Sequence, residues 1–108
     1  MQSQTQDVLF QYVNRIHEIY GSELKAVILY GSYARGDYTE SSDIDIMILV
    51  DSTEDTIKQK GRMVSDITFD FNLDHDIMIM PIVKNVNHFQ YWLPADPFYK
   101  NVKNDGVE

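Results

Sequence analysis

The fold is decided by residues 24–50, which read LKAVILYGSYARGDYTESSDIDIMILV. The apolar runs at 24–30 and 44–50 predict two strands. Between them lie the pair Gly31-Ser32 and a polar loop that ends at Asp43, and the second run begins inside a pair of aspartates at 43 and 45. If both runs are strands, this polar segment joins them at one edge of a sheet, and any chemistry is expected at that edge.

The two aspartates, Asp43 and Asp45, are separated by one residue, and residues i and i+2 of a strand point to the same face. The carboxylates therefore share a face, while Ile44, Ile46 and Ile48 face the other way and can be buried in a core. Neighbouring carboxylates repel unless one takes up a proton or a cation compensates them. Mg²⁺, which prefers oxygen ligands, is the natural cation, so the pattern implies a divalent ion.

Mg²⁺ in proteins usually takes one or two carboxylates and completes its shell with water and substrate phosphates, so a phosphate-binding element is expected nearby. Gly31 tolerates positive φ and close backbone approach. The N–H groups from Ser32 onward can begin a short helix whose N-terminus attracts anions, and the Ser32 hydroxyl adds a donor. The Walker order of glycines and lysine is absent. The expected ligand is a triphosphate laid across the turn and the metal ions.

Together these features resemble the minimal nucleotidyltransferases of the DNA polymerase β superfamily, whose signature is Gly-Ser, a short spacer, and Asp-x-Asp flanked by apolar residues. Here residues 33–42 separate Gly31-Ser32 from the Asp-Ile-Asp triplet. The resemblance implies that Gly31 and Ser32 hold the β and γ phosphates. For Arg35 it leaves two possibilities open, a contact with the triphosphate or another site group, and a capping or solvated position at a helix end.

The family pattern also includes a third carboxylate on a neighbouring strand, and the corresponding segment here is residues 73–83. Both Asp74 and Asp76 are candidates. Asp76 abuts the apolar run, whereas Asp74 is expected still to lie in the loop and can be a solvated turn residue. We therefore predict Asp76 as the third acid, which makes Asp43, Asp45 and Asp76 the catalytic and metal-binding set that the resemblance implies.

The activity implied by the resemblance is a transferase reaction, in which a nucleoside monophosphate, with ATP the favoured donor, passes to a hydroxyl and pyrophosphate leaves. Asp43 and Asp45 would hold two Mg²⁺ ions, and Asp76 would complete the second metal site and accept or orient the acceptor proton.

The acceptor is not fixed by these motifs. Many minimal nucleotidyltransferases resemble the antitoxin half of toxin–antitoxin pairs and act beside a helical HEPN partner, which some of them modify with AMP. A HEPN-type partner protein is therefore the expected acceptor. The alternative is a non-catalytic, antitoxin-like binding module that keeps only the nucleotidyltransferase fold. A complete acid triad would favour the enzyme, and a misplaced third acid would favour the module.

Helical and extended segments alternate along the rest of the chain. Apolar residues at helical spacing predict a first helix that ends at Gly21. Ser52 or Thr53 can cap a second helix, Asn85 can cap a short one, and a last helix is expected from about Phe98. The predicted strands cover residues 24–30, about 43–50 and about 76–83.

This alternation predicts an α/β (α+β) domain with a small mixed β-sheet and helices packed on one face. The resemblance implies a sheet like the polymerase β palm. At 108 residues the chain is expected to form a single nucleotidyltransferase domain, residues 1–108, with one core.

The charge balance, 17 acidic residues against 9 Lys and Arg, gives a formal net charge of −8. Because basic residues that neutralise phosphates dominate affinity for DNA and RNA, direct nucleic-acid binding is not expected. A small nucleotide that carries its own Mg²⁺ is compatible with this charge, since the ion offsets the repulsion locally.

The sequence contains no cysteine, which excludes disulfides and thiolate metal sites and fits the cytosol. Residues 1–6 are polar, and the apolar runs are too short to span a bilayer. We therefore expect a soluble, cytoplasmic protein without a membrane segment.

Overall fold

The computed structural model describes residues 3–39 and 42–106. Helices and strands alternate up to the last strand, which two helices follow; a 3₁₀ turn lies after the first helix, and the predicted mixed α and β class is confirmed. In chain order the elements are α1 (Ser3–Tyr20), β1 (Leu24–Tyr30), α2 (Ser32–Arg35), β2 (Ile44–Val50), α3 (Glu54–His75), β3 (Ile79–Asn85), α4 (Val86–Trp92) and α5 (Pro97–Asp105). No helix within the described ranges is both long and apolar enough to cross a membrane.

The three strands form one mixed sheet in the order β1-β2-β3. β1 and β2 are antiparallel, with Tyr30 opposite Asp45. β2 and β3 are parallel, with Asp45 opposite Met80. Because directly opposed residues of neighbouring strands share a face, Tyr30, Asp45 and Met80 form one row across the sheet.

The sheet is covered on both faces. On one face, α1 and α3 pack against the even-numbered residues of β2, and Tyr12, Ile16 and Ile48 are fully buried there. On the other face, α4 and α5 pack on Met47 and Leu49. The layer of helices that was predicted on one face consists of α1 and α3. The two C-terminal helices form a second, smaller layer on the opposite face, which also carries Asp45.

Most predicted helix ends agree with the structure. Gly21 follows α1 with a φ of 59°. The Thr53 hydroxyl accepts a hydrogen bond from the Thr56 N–H at the start of α3, and the Asn85 side chain accepts one from the His88 N–H at the start of α4. Local capping chemistry therefore positions these helices as the sequence predicted.

The predicted strand over residues 76–83 is wrong at its start, because β3 begins at Ile79. The apolar stripe of α3 extends the helix to His75, and Asp76 ends it in the left-handed conformation, with φ 52° and ψ 49°. The Asp76 N–H donates to the carbonyl of Asn72 in the manner of a helix C-cap. Aspartate tolerates this conformation better than most residues, so the sequence permits a cap here as readily as a strand edge.

Candidate active site

The turn after β1 is built around Gly31, whose φ is 76° and ψ is −155°. This region is open almost only to glycine. A β-carbon at this position would lie 2.5 Å from Oδ2 of Asp45. The absence of a side chain thus lets the backbone pass directly against that carboxylate, while the close approach to a phosphate ligand stays a prediction.

The short helix α2 begins at Ser32, one residue after this contact. The Arg35 N–H donates to the carbonyl of Gly31 over 3.1 Å, and the Gly36 N–H donates to the carbonyl of Ser32 over 2.9 Å. Gly36 then ends the helix with a φ of 86°. The Ser32 N–H and hydroxyl therefore stand at the start of a helical turn beside Asp45, where the sequence predicted a phosphate-binding element.

The carboxylates of Asp43 and Asp45 lie close enough to interact electrostatically, and their shared face stays a prediction. Asp45 is partly buried within β2, while Asp43 is exposed just before the strand. Burial raises the pKa of Asp45, the negative charge of Asp43 raises this pKa further, and the positive charge of Arg35 opposes the rise. Because the pKa of Asp45 is raised on balance despite Arg35, a bound cation would stabilise the ionised pair.

Arg35 lies at the end of α2 and is exposed. Its Nε is 3.3 Å from Oδ2 of Asp37, and it is close enough to Asp45 to oppose the rise of that pKa. The guanidinium therefore belongs to the electrostatic surroundings of the acid pair. Its contact with a triphosphate stays a prediction.

Tyr30 occupies the row beside Asp45 on β1. Burial and the nearby charge of Asp45 raise the pKa of Tyr30 to about 12. Its ring packs edge-on against Phe98 at the start of α5, with 5.7 Å between the ring centroids. An aromatic wall therefore flanks Asp45 on one side, a feature that sequence reasoning missed because nothing in the sequence shows that residue 98 returns to the end of β1.

The structure does not bring Asp76 into the acid pair. Asp76 caps α3 outside β3, is exposed, and lines a pocket of about 370 Å³ with Tyr33 and Ser42, the chain neighbours of Ser32 and Asp43. Asp74 lies within α3 and is also exposed. Within residues 3–39 and 42–106, no three acidic, histidine or cysteine side chains are grouped so that they could hold a metal ion. The strand placement on which the choice of Asp76 depended is therefore wrong, and its role as a third ligand has no support from this geometry.

The residue opposite Asp45 on β3 is Met80. Its side chain is 46% exposed, although methionine is usually a core residue. Met80 thus occupies the position at which a carboxylate on β3 would face Asp45. Residues 79–83 are all apolar, so the sequence alone does not show which of them faces Asp45, and the register between β2 and β3 is needed.

The residues present fit a divalent cation held by two carboxylates. Asp43 and Asp45 supply oxygen ligands, and the backbone of Gly31, which precedes Ser32, lies directly against Asp45. Mg²⁺ commonly needs no more than this from the protein, because water and phosphate oxygens complete its shell.

The chain matches the family model described as "Polymerase beta, Nucleotidyltransferase" over residues 12–93, a range that contains the sheet and the acid pair. The protein therefore belongs to the polymerase β nucleotidyltransferase family and is a nucleotidyltransferase of the minimal type that the sequence resembled.

Two proteins of Methanocaldococcus jannaschii, each named "Putative protein adenylyltransferase", are among its similar relatives. One is 36% identical over 102 residues, which cover 94% of this chain and 95% of the relative. The other is 36% identical over 96 residues, which cover 89% of this chain and 88% of the relative. The likeness therefore extends along nearly the whole length of both proteins.

Proposed function

We propose that this protein transfers AMP from ATP, in the presence of Mg²⁺, to a hydroxyl group of a partner protein. The observation that carries the proposal is the acid pair Asp43 and Asp45 with the backbone of Gly31 directly against it. The names of the two relatives support a protein as acceptor. A HEPN-type helical protein, paired with this chain as toxin and antitoxin, is the acceptor that we favour.

In this reaction the acceptor oxygen forms a bond to the α-phosphorus of ATP, and the bond between that phosphorus and the bridging oxygen to the β-phosphate breaks. Pyrophosphate leaves, and the hydroxyl proton passes to solvent. Asp43 and Asp45 would hold Mg²⁺, which when bound supplies positive charge that offsets the charge of the phosphates. The Ser32 N–H and hydroxyl donate to the β and γ phosphates, and Gly31 keeps the turn free of a side chain at that point.

The test is to incubate the protein with Mg²⁺, ATP labelled at the α-phosphate and the protein encoded by the neighbouring reading frame. We expect label to move to that protein and to be lost with Asp43→Asn or Asp45→Asn. Asp51→Asn is the matched control, since Asp51 is exposed at the far end of β2. Transfer that persists in both site variants would refute the assignment.

A second function is favoured by one observation, the methionine at position 80 beside Asp45. Without a carboxylate there, the chain would act as an antitoxin-like module that neutralises its partner by occlusion. In that case Asp43→Asn would still bind and inhibit the partner as well as the unchanged protein, and no label would move. Loss of inhibition together with loss of label would favour the enzyme.

A further inference from the structure

The two edges of the sheet differ in how their backbone groups are satisfied. Along a strand, the N–H and C=O of one residue point to one side and those of the next residue point to the other. An edge strand therefore presents every second residue outward, with groups that can bind another strand. β1 and β3 are the two edges of this sheet.

The edge at β3 is blocked over its first half. The Ile79 N–H donates to Oδ1 of Asn72 over 2.7 Å, and Nδ2 of Asn72 donates to the Ile79 carbonyl over 3.2 Å. The backbone N–H and C=O of Ile79 therefore point outward, away from β2. The backbone carbonyl of Pro81, two residues later, points the same way. Proline has no N–H to offer. One side chain and one proline thus block the first half of this edge.

The edge at β1 is open. The Ile44 N–H donates to the carbonyl of Met78 on the β3 side, so the backbone groups of Met47, three residues later, point the other way, toward Ile28 on β1. The backbone groups of Ile28 therefore point to β2, and those of Val27 and Leu29 point outward. In the part of the chain that the structure describes, no strand pairs with them.

An apolar groove of about 600 Å³ runs beside this open edge. Leu9, Phe10 and Val13 of α1 line one side, and Val27 and Leu29 line the other. The Phe10 side chain is 69% exposed. Apolar surface beside unpaired strand groups is the combination that an added strand covers.

We propose that a second copy of this chain pairs with β1 through its own β1, antiparallel, about a two-fold axis at Ile28. Val27 then lies opposite Leu29 of the second copy, and each such pair exchanges both backbone hydrogen bonds. The two three-stranded sheets become one continuous sheet. This inference does not depend on the proposed function.

Charge and register favour a second copy as the occupant. Residues 26–30 carry no charged side chain, so pairing two identical edges opposes no like charges despite the acidity of the whole chain. An antiparallel pair of identical strands is also self-complementary and closes at two copies. The register of β1 is irregular at Lys25, between Leu24 and Ala26, so the regular edge covers residues 26–30. Ile28 is the centre of this range, which favours an axis there over one nearer the start of the strand.

The test is sedimentation equilibrium of the whole chain over a wide concentration range, with Val27→Pro as the main variant. This change removes an outward N–H and leaves the bonds to β2 intact, as proline does on natural edge strands. We expect the unchanged chain to form a dimer, and we expect Val27→Pro to raise the Kd of that dimer at least tenfold. Val83→Pro is the matched control: it makes the same change at an outward position of β3, and it should leave the Kd unchanged.

A second measurement does not depend on the folding of a proline variant. Amide hydrogen exchange of Val27 and Leu29 in the unchanged protein should slow as the protein concentration rises. A protein that stays monomeric at its highest soluble concentration would overturn the proposal and leave the edge to a strand of another protein. Equal weakening by Val83→Pro, or a dimer insensitive to Val27→Pro, would also overturn it.

Discussion

The backbone of Gly31 lies directly against the carboxylate of Asp45, with only 2.5 Å between the place of a missing β-carbon and Oδ2. The turn and the acid pair are therefore a single structural unit. A change at either residue is expected to alter the position of the other.

Gly31→Ala tests this unit. A non-glycine residue at this φ and ψ costs about 1–3 kcal/mol, and the added methyl group also displaces the Asp45 side chain. We expect lower stability in urea unfolding together with loss of nucleotide binding. Gly61→Ala is the control, because a β-carbon there meets no atom within 4 Å and α3 should gain about 1 kcal/mol. Normal nucleotide affinity in Gly31→Ala would contradict the predicted role of the turn.

Asp45→Asn should stabilise the metal-free protein while it abolishes the response to Mg²⁺. The pKa of Asp45 is raised above its usual value of 3.8, so the folded chain binds this proton more readily than the unfolded chain. Protonation of Asp45 therefore stabilises the folded state as pH falls through that raised pKa, whereas the ionised Asp45 side chain opposes folding at neutral pH. Thermal unfolding with and without Mg²⁺ measures both effects, and Asp51→Asn should keep the Mg²⁺ response. Equal Mg²⁺ stabilisation of Asp45→Asn and the unchanged protein would exclude Asp45 as a ligand.

Tyr30→Phe should reduce the loss of stability that the protein shows as pH rises into the alkaline range. The pKa of Tyr30 is about 12 in the folded protein, against 10.0 in its ordinary state. The contribution of Tyr30 to the free energy of unfolding is therefore fully present below pH 10 and is lost as pH rises from about 10 to about 12. Urea unfolding across this range should show a smaller loss for the variant. Tyrosinate absorbance should also lose one late-titrating group, and an unchanged titration would contradict the assignment.

Met80→Asp should create a third carboxylate beside Asp45. We expect the affinity for Mn²⁺, measured by calorimetry, to rise about tenfold, because an added charged ligand next to an acid pair favours a divalent ion. Stability without metal should fall through added repulsion. Met63→Asp, at a side chain of similar exposure on α3, should change neither quantity. An unchanged affinity in Met80→Asp would mean that the row across the sheet is not part of the metal site.

Local sequence signals predicted the strands β1 and β2, the Gly-Ser turn and the acid pair, because hydrophobic alternation and glycine chemistry operate over a few residues. The placement of the third acid on a strand was wrong for a different reason. Its position depends on the register between β2 and β3 and on whether Asp76 ends a helix or begins a strand. Both are decided by packing between distant segments, as is the approach of Phe98 to Tyr30.

The burial of β2 on both faces has a consequence for how the site moves. Every residue from Ile46 to Val50 is buried, and the strand is bonded on each side. The backbone of Asp45 lies near the start of this strand and is therefore expected to open locally less readily than that of Asp43. Backbone adjustment to a substrate is then expected mainly from the residues that precede the strand, on the side of Asp43.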